Sequence, residues 1–316
     1  MNLITNYLTI DVEDYFQIHA FSKVIKPEQW ENYDCRVEKN TRYILDLLDT
    51  YNGSDKTPNC ERTTATFFIL GWIAERYPLL VKDIHQHGHE IASHGYGHQV
   101  IYHQKPKEFQ EDVRVSKEIL EDLIGEEVIG YRAPTYSITE NTLWALRILG
   151  EESYKYDSSI FPIKHDYYGF PSAPRFPFLW DLDSQEPIIE ELKKPNNSNN
   201  PKNSTNPNTL LEFPISTANL FGYNLPCSGG GYFRLLPYFI TRKALKHINK
   251  REKPFMFYLH PWEIDSDLPK VEAVSPLSRF RTYVNISKTR ARFKRLLTEF
   301  RFQSIQAYNH VLMKHK

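Results

Sequence analysis

Apolar and polar positions follow two alternating rhythms through the first half of the chain. Residues 7–10, Tyr-Leu-Thr-Ile, read as a short buried strand. Around 41–51, Ile44, Leu45, Leu47 and Leu48 gather on one side, which predicts a helix. Residues 64–70, Thr-Ala-Thr-Phe-Phe-Ile-Leu, are β-branched and aromatic, as a second buried strand would be. Ile73, Tyr77, Leu80, Val81 and Ile84 then recur at helical spacing, predicting a helix over 73–86. A third strand is expected at 89–93. A helix at 106–123 has proline in its first turn and Gly125 just past its end, the usual asymmetry of helix termini. A fourth strand at 128–131 and a helix at 141–149, ending at Gly150, complete the series.

Strands that alternate with helices predict a parallel sheet with helical crossovers, either a barrel or a doubly wound sheet. From about Ile163 the rhythm breaks. Residues 193–209 are rich in Asn, Pro and Ser and cannot bury apolar area, so a mobile surface insertion is expected there. Order resumes at 210–215. Ser228-Gly229-Gly230-Gly231-Tyr232-Phe233 predicts a tight loop with close backbone approach. It lacks the lysine and the glycine spacing of a phosphate loop. A helix at 242–249, a strand at 255–259 and a last helix at 287–300 with a solvated basic face follow. No internal repeat is seen.

Composition narrows the class without naming a chemistry. The 316 residues suffice for one large domain or two ordinary ones, and 41% apolar with 14% aromatic residues support a sizeable core and a groove with aromatic walls. Net charge is zero and no basic cluster stands out, which argues against nucleic acid or an anionic membrane as the main partner. Cys35, Cys60 and Cys227 are odd in number and far apart, so they form neither a disulfide framework nor a zinc ribbon. The N-terminus lacks the features of a signal peptide, and no apolar run approaches the roughly 20 residues of a membrane span. A soluble, cytoplasmic protein is expected.

In parallel sheets, chemistry collects at the carboxyl ends of the strands. Asp11-Val12-Glu13-Asp14 follows the first strand, Arg132-Ala133-Pro134 the fourth, and His260-Pro261-Trp262-Glu263 the strand at 255–259. Between them, residues 85–98 hold five of the twelve histidines. His94 and His98 lie four apart on a glycine-broken loop after the third strand, as a metal-binding pair could. His85, His87 and His89 fall on the preceding helix end and the strand entry.

Several ordered stretches together resemble one family. Thr-Ile-Asp-Val-Glu-Asp-Tyr-Phe-Gln (9–17), Ala-Thr-Phe-Phe-Ile-Leu-Gly (65–71), Gly-His-Glu-Ile-Ala-Ser-His-Gly-Tyr-Gly-His (88–98), Gly-Tyr-Arg-Ala-Pro (130–134) and Phe-Tyr-Leu-His-Pro-Trp-Glu (257–263) resemble, in order, the motifs of the polysaccharide deacetylases with a NodB-type domain, carbohydrate esterase family 4. Tyr-Asp-Ser-Ser-Ile (156–160) and Gly-Gly-Gly-Tyr-Phe-Arg-Leu-Leu-Pro (229–237) are similar to signatures of its exopolysaccharide-locus subgroup, which carries an extra C-terminal region. The resemblance implies a distorted parallel (β/α) barrel and metal-dependent removal of acetyl groups from sugars, with zinc the common ion. By position it makes Asp11 the general base, Arg132 the group that orients it, and His260 the general acid. His94, His98 and an acid just after Asp11 become the metal ligands. Pro134, Tyr136, Tyr232 and Trp262 are the expected substrate-binding residues, with Trp262 and Glu263 lining the sugar groove or holding His260. The partner is then an N-acetylated sugar, either a polymer precursor or an oligosaccharide.

One position departs from the family pattern, which has two adjacent aspartates, base then ligand. Here Val12 follows Asp11, so the carboxylate ligand is Glu13 or Asp14. Strand alternation would send Asp11 inward, Val12 outward and Glu13 inward again. A turn would favour Asp14, whose shorter side chain imitates the usual aspartate and which is preferred on that ground. The expected layout is a deacetylase core over 1–160, an irregular segment over 161–209, the end of the barrel over 210–265 and a helical extension over 266–316. The rival readings are an allantoinase-like hydrolase of another C–N bond and a non-catalytic glycan-binding protein. Intact Asp11, His94, His98, Arg132 and His260 weigh against the last.

Overall fold

A computed structural model describes residues 4–51, 62–165, 167–188, 208–272 and 274–307. Its strands are β1 (Thr5–Val12), β2 (Thr66–Ile69), β3 (Glu90–Ser93), β4 (Gly130–Tyr131), β5 (Tyr156–Asp157), β6 (Phe178–Asp181), β7 (Glu186–Ile188), β8 (Thr209–Glu212), β9 (Thr217–Leu220), β10 (Tyr223–Pro226), β11 (Met256–Leu259) and β12 (Arg301–Gln303). Its α-helices are α1 (Val37–Thr50), α2 (Gly71–Arg76), α3 (Pro78–Gln86), α4 (Pro106–Ile124), α5 (Trp144–Glu151), α6 (Gly230–Leu235), α7 (Tyr238–Asn249), α8 (Pro276–Tyr283) and α9 (Ile286–Glu299). Most of the Asn-rich stretch at 193–209 lies outside the described residues.

The expected α/β architecture is present. Ten strands form one sheet in the order β11-β1-β2-β3-β4-β5-β8-β6-β7, with β12 also on β1. All pairs from β11 through β8 are parallel, and β6 and β7 then extend the sheet antiparallel. Side chains alternate across it with the two-residue period of a strand. Leu8, Ile10, Val12, Phe67, Ile69, Phe257 and Leu259 pack outward in a large core under the helices. Tyr7, Phe68, Ala92, Tyr156, Phe213, Met256 and Tyr258 pack against one another on the inner face. That second core exists because the sheet curls: the rings of Tyr7 on β1 and Phe213 just after β8 are 5.5 Å apart.

Strand pairing does not close the curl among the described residues. The gap between β8 and β11 is bridged instead by single bonds, Met256 N to Ser216 Oγ (2.8 Å) and Tyr258 N to the Ser228 carbonyl (2.9 Å). Gly229 is required at this seam. Its φ is 145°, and a Cβ would stand 2.1 Å from the Tyr258 carbonyl oxygen. The close approach expected of 228–233 is therefore real, but only its first half is loop, because Gly230 already begins α6.

Three other expectations are corrected. The helix over 73–86 is two helices, α2 and α3, because Pro78 lacks an N–H and restricts Tyr77 before it. The region 266–316 is not purely helical: β12 pairs in parallel with β1, and Ile305 N and Gln306 N then donate to Thr66 Oγ1 and Glu90 Oε2 at the amino ends of β2 and β3. The basic face of α9 is only partly solvated. Arg292 Nη1 donates to the carbonyls of Phe233 (2.7 Å), Arg234 (2.9 Å) and Leu236 (3.0 Å), where unpaired helix-end carbonyls need donors.

Candidate active site

Beyond the carboxyl ends of β1, β3, β4 and β11, one cavity of about 630 Å³ collects Asp11, Glu13, His94, His98, Tyr136, Tyr232, His260 and Trp262. Asp11 lies on the inward face of β1 and is 1% exposed. Its Oδ1 accepts from Arg132 Nη1 at 2.6 Å, and its Oδ2 lies 3.5 Å from the Tyr136 hydroxyl. Arg132 is completely buried, which a guanidinium tolerates only when its donors are used. The same Nη1 also donates to Thr9 Oγ1 (2.8 Å), Nε donates to the Ser158 carbonyl (3.0 Å) and Nη2 to Ser158 Oγ (2.8 Å), and the guanidinium carbon lies 4.1 Å from the Phe68 ring centroid. The pair is thereby fixed by four strands.

Glu13, His94 and His98 converge, with one ligand atom from each inside a 4.8 Å span. Glu13 Oε2 is 2.5 Å from His98 Nε2, and Trp262 Nε1 donates to Glu13 Oε1 at 3.0 Å. His94 Nδ1 takes the Arg132 carbonyl at 2.8 Å, which leaves Nε2 as the lone-pair nitrogen. Burial pushes His94 down to about 4, keeping it the neutral ligand that a cation needs. Burial alone would raise Glu13, but His98 and His260 outweigh it and hold the carboxyl below the usual range. Two imidazoles and one carboxylate, all buried and with one His oriented by a carbonyl, fit a divalent cation with open coordination positions.

This corrects the preference for Asp14. Its carboxylate faces the other side, where Oδ1 accepts from Tyr15 N (2.7 Å) and Oδ2 from the N–H of Arg36 and of Val37 (2.7 Å), at the start of α1. Val12 sits in the outer core, as strand alternation predicted. The loop carrying the two histidines is shaped by Gly95, with φ of 74°, and by His98, with φ of 50°. Asp112 of α4 holds it, accepting from Tyr96 N (3.0 Å) and Gly97 N (3.3 Å).

His260 caps β11 with its Nε2 3.8 Å from both Asp11 Oδ2 and Glu13 Oε1. Its Nδ1 pairs with Glu263 Oε2 at 3.1 Å. Burial works to lower its pKa, but the charges of Glu13 and Glu263 prevail and raise it to about 9. Glu263 is fully buried and held below the usual carboxylate range against that burial by Arg234 and His260. Arg234 Nε donates to Glu263 Oε1 at 2.7 Å, and its Nη1 reaches the carbonyls of Arg281 (2.9 Å) and Thr282 at the end of α8.

Of the four expected substrate-binding residues, Tyr136, Tyr232 and Trp262 line the cavity. Pro134 does not. It is buried and supplies its carbonyl to Ser137, so its part is to shape the turn at Thr135 (φ 58°) and Tyr136 (φ 53°). Sequence reasoning missed Ser158, Asp112 and Arg234. Ser158 and Arg234 lie inside stretches singled out above, without a role. Asp112 had only its spacing from Phe109 and Ser116 on one face of α4 to mark it.

Residues 30–153 match the family model described as polysaccharide deacetylase, and residues 158–310 match one described as a domain of unknown function, DUF3473. A peptidoglycan deacetylase-like protein, FGM2, from Gibberella zeae is 36% identical over 134 residues, covering 40% of this chain and 36% of that one. A peptidoglycan-N-acetylglucosamine deacetylase from Bacillus cereus is 36% identical over 106 residues, covering 33% and 35%. The chain thus spans about a third of the length of these curated relatives. A crystal structure from Mycobacterium smegmatis, whose own assignment as a polysaccharide deacetylase is provisional, matches with a TM-score of 0.58 and 16% identity over 98% of this chain and 90% of that one, a likeness of fold.

Proposed function

We propose that the chain, whose residues 30–153 match the polysaccharide deacetylase family model, is a member of that family and hydrolyses the N-acetyl group of an amino-sugar unit in a cell-surface or exopolysaccharide, with a divalent cation, zinc, held by Glu13, His94 and His98. The observation that carries this reading is the arrangement of three groups in one cavity. The His-His-carboxylate cluster, the Asp11–Arg132 pair and the Glu263-bound His260 all converge there.

The cation, when bound, would polarise the acetyl carbonyl and acidify the attacking water. Asp11, its Oδ1 fixed by Arg132, takes the water proton with the second oxygen. His260 Nε2 lies 3.8 Å from that second oxygen, and the carboxylate of Glu263 on its Nδ1 favours the protonated ring. It donates to the departing sugar nitrogen, so the products are acetate and the free amine. A base and an acid that reach the same acetyl group are what this hydrolysis needs. Tyr136, Tyr232 and Trp262 line the cavity in which the sugar would sit.

Acetate release from N-acetylated glycans, followed by mass spectrometry, tests the reading. Asp11→Asn and His260→Ala are each expected to lose at least a hundredfold in kcat, in line with roughly 10²–10⁴ for a general acid or base. Full activity in both variants would sink the mechanism. Activity that survives chelation, in protein shown to be metal-free, would favour hydrolysis of a different C–N bond.

A further inference from the structure

The apolar face of α8 turns toward open space. Leu277, Phe280 and Arg281, with Val284 just past its end, follow at three- and four-residue spacing and so share one side of the helix. All four line the cavity. Leu277 and Phe280 are 56% and 54% exposed, whereas Tyr283 packs its ring on Phe21 at 6.4 Å. Ile18 and Leu235 add further aliphatic surface to the same cavity.

A sugar does not account for this wall. Pyranoses are held by hydrogen bonds and aromatic faces, and the catalytic end already provides them. Leu277, Leu235, Val284 and Ile18 offer neither, and leaving apolar surface of this kind open to water beside Phe280 is unfavourable unless something covers it. Besides Arg234, which Glu263 pairs, the same cavity presents Lys23 and Arg281, and neither of these two is in an ion pair among the described residues. Arg281 sits one residue from Phe280, so an anion held by it would lie beside the apolar wall and near the Arg234–Glu263 pair that its own carbonyl joins. A nucleotide sugar would set its polar base against Leu277, Phe280 and Leu235, side chains that offer it no hydrogen bond, while the Ser275 and Ser278 hydroxyls at the start of α8 bond to each other at 2.9 Å. A phosphate followed by a hydrocarbon chain matches both features.

We propose that the wall formed by Leu277, Phe280 and Leu235, with Arg281 at its edge, binds the lipid phosphate of the substrate, so that the enzyme acts on an N-acetylated sugar joined through phosphate to a hydrocarbon chain. The proposal rests on the deacetylase reading for the sugar end, while its lipid end is testable separately.

Farnesyl phosphate, farnesol, inorganic phosphate and UDP-N-acetylglucosamine serve as probes in calorimetric titrations of the full, metal-loaded chain. Farnesyl phosphate should bind at least tenfold more tightly than farnesol or inorganic phosphate. The double variant Leu277→Ser, Phe280→Ser should weaken it at least tenfold, and Arg281→Gln should bring it to the level of farnesol. Turnover of farnesyl-phosphate-linked N-acetylglucosamine is compared with that of soluble N-acetylglucosamine oligomers, and the ratio of their kcat/KM values should fall tenfold in the double variant. The proposal is overturned if farnesyl phosphate binds no better than phosphate, if the double variant leaves it within twofold, or if UDP-N-acetylglucosamine binds more tightly. Deacetylation of soluble oligomers alone would leave the proposed function standing and remove this inference. Lipid-phosphate binding as described, with no acetate released from any sugar, would do the reverse.

Discussion

Glu13 and Asp14 are adjacent in the chain, and their carboxylates point to opposite sides of the sheet. Glu13 meets His98 at 2.5 Å inside the curl, while Asp14 caps the start of α1 outside it. The cause is the alternation of β1, in which Asp11 faces the cavity and Leu8, Ile10 and Val12 face the outer core. The pattern persists two residues past the strand, helped by a bond from Glu13 N to the Asp11 carbonyl at 3.0 Å.

The two acids should therefore fail differently. Glu13→Gln removes a ligand charge and is expected to weaken metal binding at least a hundredfold with little change in fold. Asp14→Ala strips acceptors from the N–H groups of Tyr15, Arg36 and Val37. It should cost about 2 kcal/mol of stability and keep the metal. Bound metal after dialysis and urea unfolding of both variants decide it. Retention by Glu13→Gln with loss in Asp14→Ala would reverse the assignment.

Arg132→Lys keeps a positive charge but cannot reach Asp11, Thr9 and both Ser158 oxygens at once, because an ammonium lacks the planar fork. At least a tenfold loss in kcat is expected, with the chain still folded. Arg132→Met leaves Asp11 a buried charge without its partner, and about 3–5 kcal/mol of destabilisation should follow in urea unfolding. Wild-type kcat in Arg132→Lys would show that the geometry of the pair is dispensable.

Much of this site was legible in the sequence because it hangs on strand ends. The inward set Tyr7, Thr9, Asp11 follows from period-two alternation alone, and the same rule placed Glu13 correctly. The preference for Asp14 came from matching side-chain length to a family pattern, and chain direction outweighed it. Arg132 could be read from its place after β4, whereas its dependence on Ser158 could not, since β4 and β5 pair through only two residues each. Arg234 and Glu263 are 29 residues apart in sequence, and nothing local signals that they meet. The helix over 73–86 failed for a local reason that was visible, namely Pro78.

Arg234 and Glu263 make a buried pair, at 4% and 0% side-chain exposure, behind the proposed acid. Arg234→Met leaves Glu263 charged and unpaired, and about 3 kcal/mol of stability should go with it. Glu263→Gln removes the charge instead, so the double variant should recover part of that loss. A coupling energy of at least about 1.5 kcal/mol in a double-mutant cycle is expected. Strict additivity would mean that the pair contributes nothing beyond its separate contacts.

His89 gives a pH dependence whose sign is fixed by burial. The ring is 3% exposed and lies 5.1 Å from Phe67; its Nδ1 accepts from Ala65 N at 3.3 Å, and its Nε2 has no partner among the described residues. Burial first, then the charges of Arg62 and His87, lower its pKa from 6.5 to about 3. Below pH 6.5 the unfolded chain takes up a proton that the native one refuses. The stability tied to this residue is therefore complete above pH 6.5, falls as pH drops toward 3, and is level below that. At about 1.4 kcal/mol per unit, two units of this window amount to about 3 kcal/mol at pH 4.5. His89→Phe cannot take up the proton, and its lost bond to Ala65 N is a constant offset at every pH. Urea unfolding at pH 7.5 and 4.5 should thus show the variant gaining on the wild type by about that amount at the lower pH. An unchanged difference between the two proteins would mean that native His89 accepts its proton as readily as the unfolded chain does.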